Sequence, residues 1–155
     1  MRRILVDTSY LLAIANPRDP LHDVAVAASA EAESAGLIVT NLVIVEVLNY
    51  FSGRGARLRA LAAEMADAMA TSGSVTHCSV DSYFQGAFAL YRQSEDKDWS
   101  FRDCLSFVVM QDFGVREALT YDRNFEQAGF VALLRHPKTY DSVERAGNVA
   151  RASLA

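Results

Sequence analysis

Short apolar runs alternate along the chain with longer stretches of helical periodicity. Arg3-Ile4-Leu5-Val6 is branched and apolar after its first residue, as a buried strand is, and it delivers Asp7 at its carboxyl end. Residues 10–15 read as a short helix stopped by Asn16-Pro17. Asp19-Pro20 carries an acid cap and a first-turn proline, so a helix is expected from there to about Ser34, with Gly36 as its stop. Leu37-Ile38-Val39 is a second strand, and Thr40 or Asn41 caps a helix reaching Phe51. Residues 56–70, dense in Ala, Leu, Arg, Glu and Met, form a further helix. Residues 75–80 are a candidate strand, Asp81 caps a helix to about Arg92, and residues 95–99 make a charged loop. Ser100 opens a helix closed by Gly114; Ala118-Leu119-Thr120 is a strand, residues 124–128 a helical turn, and residues 130–134 a last strand. Short apolar strands separated by helices predict an α/β fold with a parallel sheet covered on both faces.

Composition narrows the function classes. A chain of 155 residues fits one domain, here residues 1–135, with residues 136–155 as a C-terminal tail. With 51% hydrophobic and 22% charged residues it can bury a core. Fifteen Lys+Arg against nineteen Asp+Glu give a net charge of −4, with the basic residues scattered. That excludes holding nucleic acid by bulk charge, but not an enzyme that meets phosphates through bound metal. Cys78 and Cys104 share no CxxC spacing, so neither a disulfide framework nor a zinc site is expected, and a reducing cytoplasm is the default setting. Arg2-Arg3 and the apolar residues up to Ala13-Ile14-Ala15 loosely imitate a secretory signal, but Asp7, Thr8 and Ser9 interrupt it. No apolar run approaches the roughly 20 residues of a membrane span.

The chemistry lies in four carboxylates. In a parallel sheet, sites form beyond the carboxyl ends of the strands, where Asp7 and Asp122 stand. Each has a plainer explanation: Asp7 as a helix cap, Asp122 as the start of a turn through Arg123-Asn124. Glu46 lies in Leu42-Val43-Ile44-Val45-Glu46-Val47-Leu48, apolar on every helix face, where a lone carboxylate is costly unless it meets a polar pocket or a cation such as Arg102 or Arg123. Asp103 closes the capping box of Ser100-Phe101-Arg102-Asp103 and can also point into the crevice. Four converging acids repel unless cations join them, and oxygen-only ligands suit Mg²⁺ or Mn²⁺. Two such ions roughly 3.5–4 Å apart support phosphodiester displacement without a His or Cys nucleophile. His22, His77 and His136 accordingly fall in no ligand pattern.

Val6-Asp7-Thr8-Ser9, then Thr40 with Glu46, then residues 100–107, then Leu119-Thr120-Tyr121-Asp122-Arg123-Asn124-Phe125 with Gly129-Phe130, resemble in order the PIN-domain family, and within it the VapC-like toxin ribonucleases. The resemblance covers residues 3–135. It implies an α/β/α sandwich with a short parallel central sheet, divalent metal and endonucleolytic cleavage of RNA. It places Asp7, Glu46, Asp103 and Asp122 at the four acidic positions. Thr8 or Ser9 fills the hydroxyl place beside the first acid, and Thr120 and Asn124 flank the last. It further implies a homodimer and a cognate antitoxin, whose inserted segment blocks the pocket, sometimes with an arginine. Apolar surface on the helices at residues 20–34 and 56–70 is available for such contacts. The alternative within the family is a non-catalytic PIN module that binds RNA or a protein partner. Two rivals lie outside it, a phosphatase of the haloacid dehalogenase type and a receiver-like module. The first wants an acid where Ser9 stands, and both want lysines that a chain with only Lys97 and Lys138 lacks. Arg54, Arg57 and Arg59 form the densest basic cluster, read first as a solvated helix start.

Overall fold

The computed structural model describes residues 1–136, so the expected tail lies outside the described residues except for His136. Among the described residues, five strands form one parallel sheet: β1 (Arg3–Val6), β2 (Gly36–Thr40), β3 (Val75–Cys78), β4 (Glu117–Leu119) and β5 (Val131–Ala132), in the order β3-β2-β1-β4-β5. Helices α1 (Thr8–Ala15), α2 (His22–Glu33), α3 (Asn41–Phe51) and α4 (Ala56–Thr71) fall between β1 and β3; α5 (Val80–Gln93) and α6 (Phe101–Phe113) join β3 to β4, and α7 (Arg123–Gln127) joins β4 to β5.

The period of two along each strand divides the helices into two layers. Ile4, Val6, Val39 and Leu119 face one side and pack with Leu11 of α1, Ala25 and Ala28 of α2, Val43, Val47 and Phe51 of α3 and Ala62 of α4. Their neighbours Leu5, Ile38 and Ala118 face the other side and pack with Phe107, Val109 and Met110 of α6, Phe125 of α7 and Tyr83 and Leu90 of α5. These strand residues are fully buried, each larger side chain contributing about 1.5–3 kcal/mol by the usual transfer scale. The outcome is the expected α/β/α sandwich.

Several element boundaries differ from expectation: α1 begins two residues early, at Thr8, and β4 and α7 each lie one residue early. Helix α2 begins at His22, because Asp19 Oδ1 accepts from Leu21 N (2.8 Å) in a local turn and leaves the helix without a side-chain cap. Strand β3 stops at Cys78, because Ser79 caps α5 by accepting from Asp81 N (3.2 Å); Asp81 is the acid of the first turn, not the cap. The last strand shortens to two residues, because the chain winds into a 3₁₀ turn (Leu133–Arg135) whose Leu134 N donates to Thr120 O (3.1 Å). Gly36, expected only as a helix stop, is the first residue of β2.

Strand order reverses between β1 and β4, since the chain builds outward through β2 and β3 and then returns to the other side of β1. That switch point opens a crevice at the carboxyl ends of the two strands. Among the described residues, no helix is long and apolar enough to cross a membrane.

Candidate active site

Asp7 leaves β1 directly into the crevice and occupies the N-cap position of α1, yet makes no side-chain cap. Its carboxylate turns sideways: Thr120, just past β4, donates to Asp7 Oδ2 at 2.7 Å, and Ser9 Oγ stands at 3.5 Å from the same oxygen. Ser9 Oγ also accepts from Tyr121 N (3.1 Å), and Thr120 Oγ1 accepts from Asp122 N (3.1 Å), so two hydroxyls sew the end of β1 to the segment after β4. Asp7 is 1% exposed, and this burial pushes its carboxyl above the usual range, against the pull of Arg102 and of the Thr120 hydrogen bond.

Asp103 serves two ends at once. It completes the capping box of α6, exchanging hydrogen bonds with Ser100 (Asp103 N to Ser100 Oγ 3.1 Å, Ser100 N to Asp103 Oδ2 3.0 Å). Asn124 Nδ2 donates to the same Oδ2 at 3.0 Å. Asp122 caps α7 by accepting from Asn124 N (2.9 Å) while its other oxygen turns toward the crevice. The plain capping roles of Asp103 and Asp122 are therefore real, and they orient the carboxylates rather than compete with the pocket.

Glu46 comes from α3 on the far wall, where Thr8 Oγ1 donates to its Oε2 at 2.7 Å. The helix is apolar on its outer face as well, and Glu46 meets the cation its surroundings demand, Arg102. Val43, Val47 and Phe51 are buried, whereas Val45 (49%) and Leu48 (38%) face outward. Glu46 stands at the rim with 36% of its side chain exposed and escapes the full desolvation cost.

One cation binds all four acids together. The Arg102 guanidinium reaches Glu46 Oε2 (3.0 Å), Asp103 Oδ1 (3.0 Å), Asp122 Oδ2 (3.5 Å) and Asp7 Oδ1 (3.6 Å). Burial works against its charge, but Asp7 and Asp103, with Glu46, more than offset it and hold the guanidinium protonated. Sequence reasoning named Arg102 only as a partner for Glu46. Its reach to three further acids was not visible, although a cation immediately before Asp103 was the available signal. Among the described residues, no three Asp, Glu, His or Cys side chains form a ready metal cage. What the four carboxylates share in this arrangement is the guanidinium.

Two of the three clustered arginines have structural roles, as does Trp99 in the charged loop. Arg54 donates to Tyr50 O (3.0 Å) and lies over the Tyr50 ring, and Arg59 donates to Ser52 O (3.2 Å), so both serve the carboxyl end of α3. Trp99 packs edge-on against Phe107 beneath α6, with its indole N–H donated to Gln127. Large exposed apolar side chains gather on α3 (Val45, Leu48, Tyr50) and α5 (Phe84, Phe88, Tyr91); α2 adds only Val26, and α4 adds none.

A five-stranded parallel sandwich with four carboxylates at its switch point defines a class of protein, and a family model confirms which: the PIN domain model matches residues 4–131. The chain belongs to the PIN-domain family. It is 33% identical over 128 residues to the 23S rRNA-specific endonuclease VapC20 of Mycobacterium tuberculosis, in strains CDC 1551 / Oshkosh and ATCC 25618 / H37Rv alike, spanning 83% of this chain and 95% of the relative. The crystal structure of Mycobacterium tuberculosis VapC20, described as a sarcin-ricin loop cleaving toxin, superposes with a TM-score of 0.71 at 29% identity, covering 83% of this chain and 96% of that one. These likenesses set the chain among the VapC-like PIN proteins.

Proposed function

We propose that this chain is an endoribonuclease, the toxin of a type II toxin–antitoxin pair, which hydrolyses RNA phosphodiester bonds using Mg²⁺ or Mn²⁺ held by Asp7, Glu46, Asp103 and Asp122. The observation that carries the reading is the convergence of these four carboxylates on one crevice, in a PIN chain alike along nearly its whole described length to a named rRNA endonuclease.

The residues suit a divalent ion. The donor set is all oxygen, as a hard cation wants. Asp7 Oδ1 is buried with no hydrogen-bond partner, an unfilled acceptor at the floor of the pocket. Held by Asp7, Glu46, Asp103 and Asp122, a divalent ion would supply Lewis acidity to a water and offset charge on a leaving oxygen.

The chain's own contribution is to place charge and keep it fixed. Thr120 and Ser9 lock the Asp7 carboxylate, and Asn124 and Ser100 lock that of Asp103, so little reorganisation is left for the reaction. Glu46 and Asp122, less buried, present oxygens toward the mouth where the scissile phosphate arrives, and Thr8 steers Glu46. Partners in this reading are the RNA, a second copy in a homodimer and a cognate antitoxin, all in the cytoplasm. The outward apolar residues of α3 and α5 are the surfaces available to the two protein partners.

The test is cleavage of an oligonucleotide carrying a sarcin–ricin loop, beside a mixed structured-RNA pool, with Mg²⁺ or Mn²⁺ against EDTA. Parent protein cuts only with metal, and Asp7→Asn does not cut. Equal cutting in EDTA, or by the variant, refutes the assignment. A parent that binds metal and RNA but cuts neither substrate is the non-catalytic module instead.

A further inference from the structure

We propose that Arg102 is a built-in occupant of the acidic pocket, whose guanidinium holds the place of the divalent cation and must swing aside before the ion binds. The inference rests on the metal-dependent reading above and concerns this chain's own arginine.

The geometry is one of mutual exclusion. The oxygens available to an ion, Glu46 Oε2, Asp103 Oδ1, Asp122 Oδ2 and Asp7 Oδ1, are the same oxygens that surround the guanidinium at 3.0–3.6 Å. A cation that takes these oxygens as ligands competes for them with the guanidinium.

The fit is also incomplete in a way that makes the arginine replaceable. One positive charge faces four carboxylates, so a surplus of negative charge remains that a dication cancels better. The mismatch is sharpest at the floor. Arg102 Nε and Asp7 Oδ1 are both buried and both lack a hydrogen-bond partner, facing each other at 3.6 Å, too far for a hydrogen bond. The guanidinium therefore leaves the deepest carboxylate oxygen unsatisfied, where an ion binds closely.

The displaced side chain has somewhere to go. An open cavity of about 500 Å³ adjoins the pocket, lined by Thr8, Leu12, Glu46, Asn49, Tyr50 and Arg102 itself. Rotated into it, the guanidinium stands at the mouth beside the path of the RNA backbone. Metal and RNA then assist each other: the ion frees the arginine for a phosphate, and a phosphate keeps the arginine away from the ion. Such coupling is reciprocal by thermodynamic necessity. The free protein binds metal less tightly than its carboxylates alone would, because only the fraction with Arg102 swung out is competent.

Calorimetric titration of Mn²⁺ into the full-length parent and Arg102→Gln is the direct test. The variant is expected to bind about tenfold more tightly or better, since Arg102 contacts four carboxylates and competes by more than a single exposed ion pair, while its metal-free thermal midpoint falls. A purely structural arginine gives the lower midpoint without the tighter binding, so equal or weaker Mn²⁺ affinity in a folded variant overturns the proposal. Should the variant not fold, the parent decides the question: Arg102 Nε–H, sheltered in the metal-free protein, moves or exchanges in its NMR spectrum as Mg²⁺ saturates the site, and a signal unchanged at saturation refutes the displacement. Absence of metal binding in parent and variant alike removes the metal-dependent reading itself, and this inference with it. Equal binding in both removes only the part assigned to Arg102.

Discussion

Both ends of the sheet place an arginine among acids, and they do so to opposite effect. At the amino ends of the strands, Arg2 grips Glu117 with two hydrogen bonds of 2.8 Å and also pairs with Glu31. One cation meets two anions there, with 40% of the arginine side chain exposed. At the carboxyl ends, Arg102 meets four anions with 20% of its side chain exposed, and Asp7 and Asp103 beneath it are almost wholly buried. The first is a clasp that ties β1, α2 and β4 together with charges near balance. The second carries a surplus of charge that folding does not need and that a hydroxyl and amide framework holds in place. What separates a site from a clasp is thus uncompensated buried charge with its own scaffolding, not the presence of an ion pair.

The largest expected effect comes from removing that surplus at its floor. Asp7→Asn keeps the shape and the Thr120 contact, so far-UV circular dichroism stays as in the parent. Its initial cleavage rate is expected to fall by about 10³-fold or more, the scale for losing a group aimed at the reacting charge. Next comes metal linkage: at about 100 times its dissociation constant, Mn²⁺ raises stability by about 2.7 kcal/mol. The parent's thermal midpoint should climb accordingly, and Asp7→Asn should show most of that climb lost. The same Mn²⁺ addition leaves the clasp end untouched, so Glu117→Gln should gain as much from the ion as the parent does.

The acids were legible in the sequence because each sits where a carboxylate needs an explanation: two at strand ends, one in an apolar helix, one in a capping box. The parallel sandwich was equally legible, since β1 and β2 are short, apolar and rich in branched residues on both faces and helices separate the strands. Arg102 was legible only as one of two cations open to Glu46. Its four contacts come from α3, α6 and the segments after β1 and β4, and only the folded chain brings those together. Local competition accounts for the misplaced starts of α2 and α5. Asp19, the expected cap, spends its carboxylate on Leu21 N in a local turn, and Ser79 caps α5 ahead of Asp81. Glu46 meets the cation that its apolar run called for, yet it lies at the rim and not in the core. A run of apolar letters says nothing about which of them face solvent, and Val45 and Leu48 do.

A smaller effect tests the scaffold rather than the charge. Thr120→Val removes the 2.7 Å donor to Asp7 and the acceptor for Asp122 N, leaving the long Ser9 contact as the one side-chain hydroxyl near the buried carboxylate. Stability should drop by about 1–3 kcal/mol in urea unfolding, the usual cost of an unsatisfied buried polar group. Cleavage should also slow, because the deepest carboxylate is no longer aimed. A variant that loses stability but keeps the parent's rate would mean that Thr120 only supports the fold.

The smallest effect belongs to the clasp, and its pH dependence gives it away. The Arg2 hydrogen bonds hold the Glu117 carboxyl below its usual range, with burial opposing them only in part. A carboxylate whose pKa is depressed by folding contributes stability that is present above the unfolded pKa and is lost as pH falls through the folded one. The parent should therefore exceed Glu117→Gln in stability at pH 7 by no more than about 1 kcal/mol, as expected for a partly exposed pair. That margin should shrink as the solution is taken below the ordinary glutamate pKa of about 4.3. Thermal midpoints of the two proteins measured from pH 7 to pH 3 check the slope, and RNA cleavage at pH 7 should be the same for both. A cleavage defect in Glu117→Gln would mean that the two ends of the sheet are coupled and that the division between clasp and site is wrong.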